Sequence, residues 1–410
     1  MKKLSIGILS DSPFICTGYS DQGKQLANLL IQNNFNVYYF AHCYTGQNLL
    51  PGTTLEDGRI FNFNIVGQAR EPYFKDVISQ YVKDFKIDVL VILLDTFMLY
   101  PWFMDLDLSP AKTIFWFPSD GGGALPLACE SILRKINHPV SMAEFGQKQC
   151  KKVHNLDTDF IPHAVDVSLF KKLPDNERKL LRLKWGIDNK FVVGCVARNQ
   201  GRKMLDRELK AFSIFAKNNP DAILLMHTDP QDSAQVFPMF EMIKRLGIEN
   251  RVLFTGTKYY KGFDYRKMYE IYNLMDVFFL TTSGEGFGIP IVEAMACEVP
   301  CIVTDYTTTK ELVIDNNAGL GIKLVGEEEG KYPDVHGSEV LDGTLTGSWM
   351  VERGVCSIYD AVMKLNMMKH FPDKMKEYGL NGRKAVLEKY NWNVTIKKWI
   401  DVLTKLGREY

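Results

Sequence analysis

Residues 277–296 read VFFLTTSGEGFGIPIVEAMA. The run from Val277 to Thr281 is apolar up to its closing threonine, which suits a strand buried on both faces of a parallel sheet. Gly284, Gly286 and Gly288 follow it, and then Pro290 opens a second apolar stretch. Proline fits the first position of a helix, where its missing N–H costs nothing. The stretch is therefore read as strand, glycine loop and helix, the place where open α/β sheets bind ligands. Gly286 and Gly288 let the backbone come close to a ligand. Amides near Gly288, Ile289 and Ile291 would lie at a helix N-terminus, where partial positive charge favours phosphate. Glu285 precedes the helix and Glu293 falls in its first turn. Two acids around a phosphate-binding backbone suit a ligand with hydroxyls on both sides of a phosphate, such as an NDP-sugar. A tight turn with a capping glutamate is the other reading.

The same alternation extends outward. Apolar runs at 4–9, 37–40, 89–94, 113–117 and 140–142 are separated by helical patterns, among them 22–32 and 73–83. The series restarts at 191–197 and continues through 222–226, 252–255, 277–281 and 301–304. Repeated βα units imply layered α/β domains with right-handed crossovers. Two Rossmann-like domains are expected, over 1–170 and 185–390. Between them, residues 170–189 carry Arg178, Lys179, Arg182 and Lys184. This run reads as a solvated linker helix and hinge; peripheral contact with an anionic membrane surface is the alternative. Residues 326–347 are acidic and glycine-rich, without a period, and read as a long surface loop.

The chain has 410 residues, enough for two or three domains. Hydrophobic residues are 46% and charged residues 24%, which excludes collagen, disorder and a small disulfide scaffold. Lys+Arg and Asp+Glu are both 49, a balance that points away from nucleic acid as a partner. The start, MKKLSIGILSDSP, resembles a signal peptide, but Asp11 comes early and no cleavage site follows. The most apolar later run, at 89–94, is far short of the roughly 20 residues of a transmembrane helix. Eight cysteines occur without a C-x-x-C pair, as expected of reduced thiols in a cytoplasmic protein.

Two further stretches carry chemistry. Residues 196–203, VARNQGRK, follow the strand candidate at 191–197. Arg198 and Lys203 then stand at a strand end, where two cations can neutralise a diphosphate; a solvated basic turn is the alternative. Thr17-Gly18-Tyr19-Ser20 lies between the first strand and its helix. It is either an ordinary cap or a close approach at Gly18. No P-loop and no G-x-G-x-x-G fingerprint occurs.

Taken in order, these stretches resemble the GT-B glycosyltransferases, in particular the retaining enzymes of glycosyltransferase family 4. EGFGIPIVEAMACEVPCIVTD is similar to that family's E-x7-E block, and VARNQGRKMLDRELKAF to its Arg…Lys diphosphate motif. YNLMDVFFLTTSGEGFG resembles the approach to the block, IPHAVDVSLF the end of the first domain, and EKYNWN the segment before the last helix. The resemblance implies that the closing helix, 394–410, crosses back to complete the first domain. It implies donor binding by Gly18, Arg198, Lys203, Ser283, Glu285, Phe287, Gly288, Ile289 and Glu293. Glu293 would hold ribose hydroxyls and Glu285 the transferred sugar. Arg198 and Lys203 would hold the diphosphate, and no metal would be required.

Two positions depart from the pattern. Where relatives often carry a first-domain histidine, this chain reads FWFPSDGGG, with Asp120 or Ser119 in that place. Asp120 is either an acceptor-site residue or a turn cap. Glu298 stands where glycine is common before Val-Pro. His138 and His163 read as structural. Tyr44, Tyr73, Tyr100 and Trp102 offer aromatic surface for an acceptor or anchor loops. The expected function is retaining, metal-independent transfer of a hexose-type sugar from a UDP- or GDP-linked donor to a glycan, lipid-linked or protein acceptor. The rivals are an NDP-sugar epimerase or hydrolase on the same fold, and a catalytically silent sugar-nucleotide-binding subunit.

Overall fold

The computed structural model describes residues 3–55, 57–68, 70–122, 125, 127–256, 265–325, 331–333 and 352–407. They form two parallel sheets, each covered by helices. The first sheet contains β1 (Ser5–Asp11), β2 (Asn36–His42), β3 (Asn64–Gly67), β4 (Val89–Leu93), β5 (Lys112–Phe117), β6 (His138–Ser141) and β7 (Asp159–Phe160). Their order is β3-β2-β1-β4-β5-β6-β7. The second contains β8 (Phe191–Val196), β9 (Ala222–His227), β10 (Val252–Phe254), β11 (Val277–Leu280), β12 (Cys301–Thr304) and β13 (Gly319–Ile322), ordered β10-β9-β8-β11-β12-β13. In both, the order reverses beside the first strand, which is where α/β sheets open a binding crevice.

Every strand read from an apolar run is present. β1 and β4 are buried at every position and pair in parallel, Ile6 with Val89 and Ile8 with Val91. The strands that periodicity misses are short edges: β3, β7, β13, and the hairpin of β14 (Lys331–Pro333) and β15 (Glu352–Gly354). Apart from β14, the loop read at 326–347 lies outside the described residues.

Five helices matter for the site. α1 (Gly18–Gln32) follows β1, and α2 (Asp175–Lys184) precedes β8. α3 (Leu205–Lys217), α4 (Met268–Leu274) and α5 (Ile289–Ala296) flank the second sheet. Two more end the described chain, α6 (Pro372–Lys389) and α7 (Trp392–Gly407). α6 packs on α5, where a Cβ at Gly382 would stand 3.2 Å from Met295 Cβ. α7 returns to the first domain: the Trp399 ring meets Trp116 edge-on with centroids 5.0 Å apart.

The solvated-linker reading of 170–189 fits the exposed Lys179 and Lys184 but needs correction at Arg178 and Arg182. Arg178 Nη2 and Arg182 Nη1 bind Asp276 Oδ1 at 2.8 and 3.0 Å. The same guanidiniums also take the carbonyls of Asn273, Leu274 and Met275. Charge at helical spacing looked solvated because its partner, Asp276, lies some hundred residues away in sequence. Arg383 further pins the chain at the carbonyls of Phe170 and Val167, so these arginines are committed to the second domain.

None of the eight cysteines forms a disulfide. Among the described residues no helix is long and apolar enough to cross a membrane.

Candidate active site

The glycine loop between β11 and α5 faces the first domain across the cleft. Gly288 has φ +104°, which a side chain would resist, and it delivers the chain into α5 with Pro290 as the second helical residue. Gly286, and Gly284 before it, also meet the first domain closely. A Cβ on Gly286 would lie 2.5 Å from Pro118 Cβ, and one on Gly284 would lie 2.1 Å from the Asp120 carbonyl oxygen. The missing side chains let the loop after β5 pack against them. Gly18, the first residue of α1, is likewise close: its Cβ would stand 3.1 Å from Ile289 Cδ1. The Ile291 amide is not available to a ligand, because it donates to the Gly288 carbonyl at 2.9 Å.

The cations come from the turn after β8. Residues Gly201–Lys203 form one 3-10 turn, and Met204 follows at φ 48°. Hydroxyls beyond β11 hold that turn. Thr281 Oγ1 donates to the Met204 carbonyl at 2.8 Å, and both the Ser283 amide and its Oγ reach the Arg202 carbonyl at 2.7 and 2.9 Å. Two cations are thereby aimed at Glu285. Lys203 Nζ donates to Oε1 at 2.5 Å and Arg202 Nη1 to Oε2 at 2.9 Å. Burial alone would raise this carboxyl, but Arg202 and Lys203 overcome it and hold Glu285 down at about 2. Burial and the neighbouring Arg202 pull Lys203 down to about 8, against Glu285. The two shifts favour opposite protonation states of one pair; the short contact and the second cation favour the ionised one.

Arg202 was not read from the sequence, and Arg198 was. The structure places Arg198 on Asp232, through Nε at 2.9 Å and Nη2 at 3.2 Å. Arg202 and Lys203 therefore share Glu285, while Arg198 anchors the neighbouring loop. An Arg before Lys203 was visible, but which arginine turns inward depends on the 3-10 turn.

Glu293 is buried on α5, one helical turn behind the loop. Tyr272, on α4, donates from Oη to Glu293 Oε2 at 2.5 Å. Burial pushes this carboxyl up to about 8, with the tyrosine bond pulling the other way. Phe287 turns from the loop towards the first domain and meets the His163 ring edge-on at 5.3 Å. His163 is sealed beside Trp116, and burial lowers it to about 3.

Opposite stands an acidic first-domain face. Asp120 Oδ2 lies 3.7 Å from Arg202 Nε and 3.6 Å from Arg353 Nη1, and Arg353 also donates to the Asp120 carbonyl. Burial would raise the Asp120 carboxyl, but Arg353 and Arg202 bring it below its usual value. Asp95, just beyond β4, accepts from Tyr19 Oη at 2.6 Å, and burial raises it to about 6. Tyr19 lies in the stretch read around Gly18, whereas Asp95 carries no motif, and the adjacency of β1 and β4 brings the two together. Several aromatics suggested for an acceptor are loop anchors. Tyr44 packs on Phe14 at 4.7 Å, Tyr73 on His42 at 4.2 Å, and Trp102 Nε1 donates to the Met98 carbonyl.

Of the residues expected to bind a donor, the structure gathers Gly18, Lys203, Ser283, Glu285, Phe287, Gly288 and Ile289 around the cleft end of α5. Glu293 lies behind them and Arg198 to one side.

Residues 177–326 match the model of the family described as glycosyl transferases, group 1. Mannosylfructose-phosphate synthase of Agrobacterium fabrum is 31% identical over 186 residues, 43% of this chain and 38% of that protein. A GDP-mannose-dependent alpha-(1-6)-phosphatidylinositol monomannoside mannosyltransferase of Mycolicibacterium smegmatis is 26% identical over 216 residues, 48% of this chain and 53% of that one. The chain thus spans about half or less of the length of these curated relatives. Among solved structures, sucrose-phosphate synthase of Thermosynechococcus elongatus superposes with a TM-score of 0.72 at 14% identity, covering 98% of this chain and 99% of that one. A glycosyltransferase of Rickettsia africae gives 0.70 at 15% identity over 100% of both chains. The fold is GT-B, and within it residues 177–326 match the group 1 glycosyl transferase model.

Proposed function

We propose that the protein is a retaining, metal-independent glycosyltransferase of the cytoplasm. It moves a hexose-type sugar from a UDP- or GDP-linked donor to a glycan, lipid-linked or protein acceptor. The observation that carries this reading is the pair of cations, Arg202 and Lys203, gathered on Glu285 beside the glycine loop at the start of α5. In the reading, the donor diphosphate takes over these cations and the amides of Phe287, Gly288 and Ile289, with Ser283 bracing the turn. Glu285 then turns to the transferred sugar, Glu293 holds the ribose, and Gly18 closes the donor site. Arg198 keeps the adjoining loop in place. Asp120 faces the acceptor from the first domain.

The chemistry is a substitution at the sugar's anomeric carbon. The bond to the phosphate oxygen breaks, the acceptor oxygen bonds on the same face, and the acceptor's proton passes to the departing phosphate oxygen. Catalysis then rests on positioning and on stabilising the leaving-group charge. The GDP-mannose dependence named for one relative supports a nucleotide-linked donor.

Thermal-shift titration with UDP, GDP, ADP and their sugar conjugates, with and without EDTA, tests the donor assignment. A selective rise for one base that EDTA leaves unchanged is the expected result. No rise with any nucleotide overturns it. Free sugar released from the bound conjugate without acceptor would instead identify a hydrolase.

A further inference from the structure

Tyr272 lies outside the glycine loop and the cation turn, yet its hydroxyl bonds Glu293 directly, Oη to Oε2 at 2.5 Å. Its ring is fully buried between Phe170 and Phe278, with centroids 6.1 and 6.4 Å away. The hydroxyl is therefore delivered to a fixed point. A glutamate has three side-chain torsions to settle, and a single fixed donor on one oxygen settles its terminal plane. Resting on the donor reading proposed above, we infer that Tyr272 is the positioning residue that lets Glu293 distinguish ribose from deoxyribose. The site then takes ribonucleoside diphosphates in preference to their deoxy counterparts.

The carboxylate form is the one this task needs, because it accepts from two neighbouring hydroxyls and donates to none. A phenol hydrogen bond favours that form. Burial works against it, so the tyrosine supports charge as well as orientation. Tyr265 comes near the same carboxylate and packs on the Phe170 ring at 5.1 Å.

The test is calorimetric binding of UDP and GDP, each beside its 2′-deoxy and 3′-deoxy analogue. It uses the full chain and the variants Tyr272→Phe, Glu293→Ala and the double variant. Wild type should prefer the ribose forms by about tenfold or more, as a hydrogen bond to a charged group allows. Tyr272→Phe should lose most of that preference while remaining folded, at a lower melting temperature, and keeping its affinity for the deoxy forms. The double variant should lose no more than Glu293→Ala alone. An unchanged ribose preference in a folded Tyr272→Phe overturns the inference, and so does full additivity in the double variant. Failure of the donor reading is visible elsewhere, in a wild type that binds no nucleoside diphosphate at all.

Discussion

Lys203 and Arg198 are both basic residues of one turn, and the structure gives them different tasks. Lys203 donates to Glu285 at 2.5 Å, whereas Arg198 forks onto Asp232, which is 1% exposed at the side chain. Lys203→Ala should therefore lower turnover by about 10²–10³, the usual cost of removing one donor that stabilises developing charge. It should also weaken nucleoside diphosphate binding. Arg198→Ala should act first on stability, because it strands a buried carboxylate. Adding Asp232→Asn to it should recover part of the lost melting temperature. Steady-state kinetics and thermal unfolding of the three variants check this division, and equal kinetic losses without a stability difference would contradict it. The sequence showed two basic residues flanking a turn and could not say which one turned inward. Arg202 escaped notice for the same reason. Its direction follows from a 3-10 turn and a left-handed Met204, which no pairwise spacing reveals. Tyr272 was in plain view, four residues before Asp276, but its link to Glu293 exists only once α4 and α5 pack.

At the scale of elements, strands and glycine loop were legible because continuous apolar runs and glycine spacing report local requirements. What those glycines approach was not legible. Gly286 meets Pro118, contributed by the loop after β5 in the other domain. Gly286→Ala should leave the second domain folded while forcing that loop away, since the added methyl would stand 2.5 Å from Pro118 Cβ. The expected outcome is a drop in turnover of about tenfold or more with nucleotide affinity little changed, because misplacing reacting groups costs far more rate than binding. A variant with wild-type turnover would show that the contact yields freely. α3 carries a second element-scale feature. Glu208 is fully buried, and burial pushes its carboxyl up to about 8, with the Cys195 thiol giving slight relief. The folded form keeps its proton between its unfolded pKa and about 8, while the unfolded chain releases it. Stability from this group therefore falls as pH rises through that window. Glu208→Gln should flatten the decline in urea-unfolding free energy from about pH 5 to pH 8. A slope as steep as wild type would show that another group sets it.

For the whole molecule, the chain's last described helix determines how the halves stay together. α7 begins beside the second domain and ends against Leu4 of the first, where a Cβ on Gly407 would lie 2.6 Å from Leu4 Cδ1. Trp399 is fully buried in that crossing and meets Trp116 of β5. The strand leading to Asp120 therefore rests on a side chain supplied from the opposite end of the sequence. Trp399→Ala should cost about 3–5 kcal/mol, the range for removing a large buried aromatic. The loss should be confined to the first domain, because the sheet of β8 to β13 is packed by α3, α5 and α6 instead. Chemical denaturation should then split into two transitions, with the earlier one reported by protease cleavage within residues 3–170. Nucleotide binding by the second domain should survive up to the later transition, while transfer to an acceptor ends at the earlier one. A single transition at a lower denaturant concentration would mean that the two domains fold as one unit, with α7 stabilising both alike.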